Sequence, residues 1–529
     1  MNIKEKVLEL LKYCSSYQGH SYMVDERRTN GGFQVTLPEE EEIIESLDKL
    51  RFVLLTGEAG DGKSYLLKRL DERLKEYGFH VFRDFSELLE QNEGNDEISE
   101  QTGLGKKEIM QTIADIVEGK SEERIIIAAN VGIFTKTALM YQEGLLEAFN
   151  QSNDRIKIVN FEKRNLAGNK IVFKRIVEAF FAYDGEMCIN GNCPYCQCCP
   201  YKNNIDFLSS PEGIESIRIL CDTVFLMGNH ITFRELLSLL AHMVTLGESC
   251  EERMARERKG DYGYQNIFEL TKDKVLQKIS RMDPAYKNDM IADAKIHYRN
   301  VEDCKREKRL RFFHEKNKYR FLAVDYLSAF QTVLHDFEET PYIASEMIQD
   351  GVLYQLKRGI GRLTRRGESN LALKVADTPS MLGDDIQTEF ELGNMDIIWH
   401  QYGLDFNRLD EKLEEKEQNC FEMSYVYPVD GKEEELSRIT MVIDYRLFRY
   451  LMMADEYYYL SHNSKSIEEY TINTFFRKIL KKRQGAYEKM LVKFVDQKRN
   501  RYCNFSLNLQ EMNRILYRGK KVIKLKKES

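Results

Sequence analysis

The stretch Arg51-Phe-Val-Leu-Leu-Thr-Gly-Glu-Ala-Gly-Asp-Gly-Lys-Ser64 decides the fold. Phe52 to Leu55 is an apolar run and reads as a buried strand. The loop Gly57-Glu58-Ala59-Gly60-Asp61-Gly62-Lys63-Ser64 comes next, and Tyr65 to Tyr77 carries Leu66, Leu67, Leu70 and Leu74 at helical spacing. Strand, G-x-x-x-x-G-K-S loop and helix in that order are the context in which this pattern holds phosphate. Successive backbone N–H groups converge on the anion, and the glycines permit the backbone angles this needs. The start of the helix adds a favourable field. Lys63 is expected on the β- and γ-phosphates and Ser64 on Mg²⁺, with residues 57–65, including Tyr65, as the nucleotide cradle. The alternative is a chance glycine-rich turn. No convincing N-K-x-D guanine signature is present, so ATP is expected over GTP.

The chain has 529 residues, which predicts more than one domain. A net charge of −8 excludes a general polyanion binder, so any nucleic-acid surface must be local. The amphipathic start, Ile3 to Cys14, lacks the apolar core of a leader peptide. No apolar run reaches the roughly 18 residues of a membrane span. The expectation is a cytoplasmic protein whose cysteines are thiols or metal ligands.

Residues 1–37 read as a helical arm and 38–180 as the α/β nucleotide domain. Strand Gly78–Asp84 ends in an acid. A phosphate-loop ATPase needs a strand-end carboxylate for Mg²⁺ and a second acid for the attacking water. Asp84 and Glu87 are the candidates, although the usual four apolar residues before paired acids are missing; Asp84 as a simple helix cap is the alternative. Residues 88–105 read as an acidic loop. The buried strand Arg124–Ala129 ends at Asn130, an amide suited to sensing a γ-phosphate or, more simply, a turn residue. Strand Arg155–Asn160 completes a parallel sheet with helices on both faces, whose ligand edge is at the strand C-termini. Arg155 and Arg164 are read near that edge, as arginine fingers toward a neighbouring subunit in a homo-oligomer or as surface arginines.

Five of eleven cysteines fall between Cys188 and Cys199, spaced Cys188-x4-Cys193-x2-Cys196-x-Cys198-Cys199. Thiolates at this spacing, in Gly- and Pro-bearing surroundings, fit a structural Zn²⁺ knuckle, with Cys188, Cys193, Cys196 and Cys199 as one choice of four ligands. An iron–sulfur cluster or free thiols are the alternatives. Residues 181–260 form the expected helical lid around this knuckle. Thr232 and Glu235 make a capping box there. Arg234 then sits in the first helical turn, where a cation opposes the helix dipole. A γ-phosphate would compensate it, as in the lids of AAA+ proteins; a surface arginine is the plainer reading.

Taken in order, the Gly57–Ser64 loop, Ala-Ala-Asn130-Val-Gly, Asn160-Phe-Glu-Lys-Arg164-Asn-Leu, the cysteine cluster through Cys199-Pro-Tyr-Lys-Asn203, Ile231-Thr-Phe-Arg234-Glu-Leu-Leu, Tyr264-Gln-Asn-Ile-Phe268 and Met282-Asp-Pro284 form one ordered set. This set resembles the DptF family, the ATPase component of DNA phosphorothioation-dependent restriction systems. The resemblance spans most of the chain and implies a defence role, with partner subunits, against DNA lacking the sulfur modification. Gly57, Gly62, Lys63, Ser64, Asn130 and Arg234 carry over as nucleotide-site residues; Asp84 matches loosely.

Residues 261–529 are expected to be mostly helical, with a few strands such as Asp396–Trp399 and Ile439–Ile443. Basic clusters occur at Lys305–Arg311, from Lys357 through Arg362 to Arg366, and from Arg477 onward, where seventeen Lys/Arg face four Asp/Glu. Tyr487, Phe494, Tyr502, Phe505 and Tyr517 are interleaved there, as a sequence-independent DNA footprint requires. A solvated face or a dock for an acidic partner is the alternative. No nuclease set appears, since Asp430 near Lys432 lacks a second metal carboxylate. The histidines are scattered and none is assigned to catalysis.

The sequence therefore predicts an α/β P-loop NTPase of AAA+ type with a helical, cysteine-bearing lid. It would couple ATP, with Mg²⁺, to DNA or partner engagement in a restriction complex. A nucleotide-locked signalling scaffold with little hydrolysis is the second reading.

Overall fold

Strand β1 (Phe52–Thr56) is flanked on both sides by parallel partners. With β2 (His80–Phe82), β3 (Ile125–Ala129) and β4 (Ile156–Asn160) it forms a four-stranded parallel sheet of order β2-β3-β1-β4. The register sets Thr56 beside both Ala129 and Asn160, so the ends of three strands lie on one rim.

The computed structural model describes residues 2–14, 34–83, 85, 105–141, 145, 154–161, 164–184, 199–255, 263–269, 274–287, 301–344, 347–348, 351–363, 386–389, 397–401, 420–429, 432–457, 467–483, 490–496, 501–507 and 526–527.

Alternation along these strands divides the core in two. Phe52, Leu54, Ile125, Ile127, Ile156 and Ile158 face α4 (Lys106–Val117) and α5 (Val131–Tyr141). Val53, Leu55, Ile126, Ala128 and Val159 face α2 (Pro38–Ser46) and α3 (Lys63–Glu76). Both faces are covered, so the strands are apolar on both sides, as a parallel sheet demands. Chain elements α1 (Ile3–Leu11), α6 (Lys170–Phe181), α7 (Pro200–Leu208), α8 (Pro211–Leu226), α9 (Phe233–Thr245), α10 (Cys250–Ala255), α11 (Lys274–Ser280) and α12 (Val301–His314) continue the same unit.

The chain divides into two compact units, 1–324 with 404–418, and 325–403 with 419–529. Residues 261–324 thus belong with the first unit, although their helical pattern offers no signal separating them from the chain beyond 324. Asp283 anchors this segment: it is buried and takes Arg309 Nε and Nη2 at 3.0 and 2.8 Å. Of the basic cluster in α12, Arg309 is held in that pair, Lys308 donates to Lys287 O, and Arg311 bonds Glu315.

The second unit holds α13 (Leu327–Glu339), β5 (Tyr342–Ala344), α14 (Val352–Leu363), β6 (Ile386–Glu389), β7 (Ile397–Gln401), β8 (Phe421–Val429), β9 (Lys432–Ile443), α15 (Tyr445–Tyr457), α16 (Ile467–Arg483), β10 (Met490–Asp496), β11 (Arg501–Leu507) and β12 (Lys526–Lys527). Its strands form two four-stranded antiparallel sheets, β5-β7-β8-β9 and β12-β11-β10-β6. Among the described residues, helices dominate from 200 to 363, and beyond them strands carry more of the chain than the sequence pattern predicts. Phe330, Phe337, Trp399, Phe421 and Phe448 make its aromatic core. Arg358 of the second basic cluster forms a bidentate pair with Asp455. Arg365, Arg366, Asp430 and the side chains of most of the basic tail lie outside the described residues, as do 88–104 of the expected acidic loop.

No helix among the described residues is long and apolar enough to cross a membrane.

Candidate functional site

The loop between β1 and α3 runs from Gly57 to Gly62. Gly57 has φ of 149°, and a Cβ there would lie 2.6 Å from Asp61 Oδ2 and 2.9 Å from Phe161 Cβ. Gly60 has φ of 103°, and a Cβ there would meet Arg234 Cβ at 3.1 Å. Both positions therefore require glycine for angle and for space. The next glycine, Gly62, is the N-cap of α3 and leaves the first N–H groups of that helix without a side-chain cap.

Lys63 folds its Nζ back onto the loop, donating to Gly57 O at 2.6 Å and Glu58 O at 2.8 Å. The ammonium thus sits at the loop mouth. Glu58, Ala59 and Ser64 are exposed on the same rim. The residues present suit a polyphosphate with Mg²⁺: the Lys63 charge, positive-φ glycines at 57, 60 and 62, a helix N-terminus and an exposed hydroxyl.

Asn130 follows β3 on that rim and is exposed. Its Oδ1 accepts the Gly132 N–H at 2.9 Å, so the side chain caps the start of α5. The amide is thereby oriented, and its NH₂ is the group with donors for a ligand. The strand before Asp84 ends at Phe82, two strands from β1, about 10 Å away at ordinary strand spacing. Asp84 and Glu87 lie outside the described residues.

The expected capping box of α9 is present: Glu235 N–H donates to Thr232 Oγ1 at 3.1 Å and Thr232 N–H to Glu235 Oε2 at 3.0 Å. Arg234 lies in the first turn, its N–H donating to Gly60 O at 2.9 Å. Two helix N-termini, those of α3 and α9, therefore flank one loop, which concentrates positive field there. Phe233 packs on Tyr65, ring centroids 5.6 Å apart. The Tyr65 hydroxyl engages Val35, accepting from its N–H at 2.7 Å and donating to its carbonyl oxygen at 2.9 Å. Burial pushes its phenol above the usual range. Beside it Arg69 binds Glu40 through two contacts, at 2.6 and 3.0 Å, tying 36–40 to α3.

The two candidate fingers part company. Arg155 precedes β4, and in a parallel sheet that places it at the edge opposite the glycine loop, correcting the sequence reading. It bonds Ser121 O at 2.8 Å and Glu122 at 2.9 Å. Arg164 does lie at the loop, but on its own chain's loop: Nη2 donates to Asp61 O at 2.6 Å, Nη1 meets Glu39 at 3.3 Å, and the guanidinium covers the Phe161 ring.

Asp61 does not face outward with its neighbours. It is fully buried, accepting Glu58 N–H at 2.6 Å on Oδ2 and pairing Oδ1 with His230 Nε2 at 2.6 Å. His230, Glu39 and Lys278, whose Nζ holds His230 O at 2.6 Å, are site residues that the sequence reading misses. His230 stands two residues before Thr232, the N-cap of α9.

Cys188, Cys193, Cys196 and Cys198 lie outside the described residues. Cys199 is the half-buried N-cap of α7. Among the described residues no group of metal-ligating side chains is assembled.

Compared with family models, with curated proteins and with solved structures, the chain matches none.

Proposed function

We propose that this chain binds and hydrolyses ATP as a P-loop ATPase of AAA+ type, acting as a component of a phosphorothioation-dependent DNA restriction complex. The observation that carries the nucleotide reading is the approach of Arg234 to Gly60, which brings the start of α9 onto a loop already lined by Lys63. The restriction role rests on the ordered motifs of the sequence.

In this reading Lys63 leaves the carbonyls of Gly57 and Glu58 for the β- and γ-phosphates. Loop N–H groups hold the phosphate oxygens, and Arg234 closes over them from α9. Asn130 orients the attacking water through its amide NH₂. Ser64 and Asp84 are the residues that would hold Mg²⁺, which when bound offsets charge on the phosphates. The cysteine cluster would hold a structural Zn²⁺, read by metal analysis of the purified protein.

The test is steady-state ATP turnover with and without duplex DNA, beside Lys63→Ala. Turnover that DNA accelerates and Lys63→Ala abolishes is the expected result. ATP binding with no turnover under any DNA condition would reject the hydrolytic part of the reading. Turnover unchanged by Lys63→Ala would reject the site itself.

A further inference from the structure

Asp61 joins three parts of the first unit. Its Oδ2 holds the loop through Glu58 N–H, its carbonyl oxygen takes Arg164, and its Oδ1 takes His230. A buried carboxylate oxygen without a donor costs its full desolvation, so this pairing favours one placement of residue 230 over neighbouring ones.

His230 is held at both ends. Its side chain is 16% exposed, with the ring on Asp61, while its carbonyl accepts from Lys278 Nζ. The same Lys278 ammonium lies 3.0 Å from both Glu235 carboxylate oxygens, and Glu235 closes the capping box of α9. Residues 230–235 therefore form one braced segment between the loop and α11. Arg234 is inside that segment, against Gly60.

We propose that His230 is a positioning residue: through Asp61 it fixes the start of α9 on the loop, and thereby sets how strongly Arg234 selects a nucleoside triphosphate over a diphosphate. This rests on the nucleotide-binding reading above. The terminal phosphate is the group that an arginine held over the loop can meet and that a diphosphate lacks. If the segment loosens, affinity for the triphosphate falls, while the diphosphate, held by the loop and Lys63, is largely spared. Selectivity is a difference of affinities, and the latch acts on one side of it.

The experiment is calorimetric titration of the full chain with ATP and with ADP, for wild type, His230→Ala, His230→Gln, Arg234→Ala and the double variant His230→Ala/Arg234→Ala. His230→Ala is expected to weaken ATP about tenfold and ADP less than about twofold, the scale of one lost hydrogen bond to a charged group. His230→Gln, whose amide donates to Asp61, restores most of the ATP affinity. The double variant is no weaker than Arg234→Ala alone, since both act through one contact. His230→Phe keeps the ring volume without the donor and should behave as His230→Ala, which covers the case in which alanine loosens the packing. Equal losses for ATP and ADP, or additive losses in the double variant, would overturn the proposal. Wild-type binding that Lys63→Ala abolishes but His230→Ala leaves intact would overturn this proposal alone. Wild type binding neither nucleotide would overturn the nucleotide reading with it.

Discussion

Arg164 and Glu39 meet at 3.3 Å beside the glycine-rich loop, and their side chains are only 11% and 14% exposed. Glu39 opens α2 and Arg164 follows β4, so the pair ties the chain before the loop strand to the chain after the last strand of the sheet. The second Nη of Arg164 holds Asp61 O. Arg164→Ala leaves a nearly buried carboxylate without its cation, and should cost about 3 kcal/mol in urea denaturation. Adding Glu39→Gln should recover part of that loss, because the stranded charge goes with it. A cost below about 1 kcal/mol would place the pair with ordinary surface ion pairs.

Arg155 sits at the far edge of the same sheet, bonded to Ser121 and Glu122. Its neighbour Glu122 is held below the usual carboxylate range, first by the hydrogen bond from Arg51 and then also by Arg155. Arg155→Ala should leave ATP turnover within about twofold of wild type, as a surface substitution remote from the loop does. Arg234→Ala in the same assay should lower it at least about tenfold. Loss of turnover in Arg155→Ala, with the protein still folded by circular dichroism, would return Arg155 to the groups acting on a neighbouring subunit.

The start of α15 offers a test that depends on pH. Asp444 accepts the Leu447 N–H at 2.7 Å, yet burial keeps its carboxyl above the ordinary range. A carboxyl raised on folding contributes stability that is fully present below its unfolded pKa, about 3.9. That contribution is lost as pH rises through the folded value, because the native state then carries a poorly solvated charge. Asp444→Asn keeps a good cap and removes the charge. Hydrogen exchange of the α15 amides should be slower in the variant at pH 7, with the difference closing as pH falls toward 4. Faster exchange in the variant at pH 7 would mean that the charge itself is needed at this cap.

The glycine-rich loop, its strand and its helix were legible because everything that specifies them is local. Gly57, Gly60 and Gly62 answer to backbone angles, and Leu66, Leu67, Leu70 and Leu74 to one helix period. The capping box at Thr232 and Glu235 was legible for the same reason. The partner of Asp61 was not, because His230 is 169 residues away and a lone histidine carries no pattern. Arg155 stands at the far end because a parallel strand runs toward the ligand edge, so the residue before its first position lies opposite it. In the second unit, β9 opens with Lys432-Glu-Glu-Glu435, which hides the alternation that marks a strand. Burial of Ile439, Met441 and Ile443, not local preference at its start, settles that strand.

The order β2-β3-β1-β4 also has a consequence for how the chain is made. Phe52-Val-Leu-Leu55 is synthesised well before either of its neighbours, Ile125–Ala129 and Ile156–Asn160. Until β3 has left the ribosome this strand has two open edges, and until β4 follows it keeps one. Pairings of such long sequence separation form slowly, and segments of this kind are where nascent chains associate wrongly. The central strand that holds the glycine-rich loop in the finished molecule is therefore one whose burial waits on chain made much later.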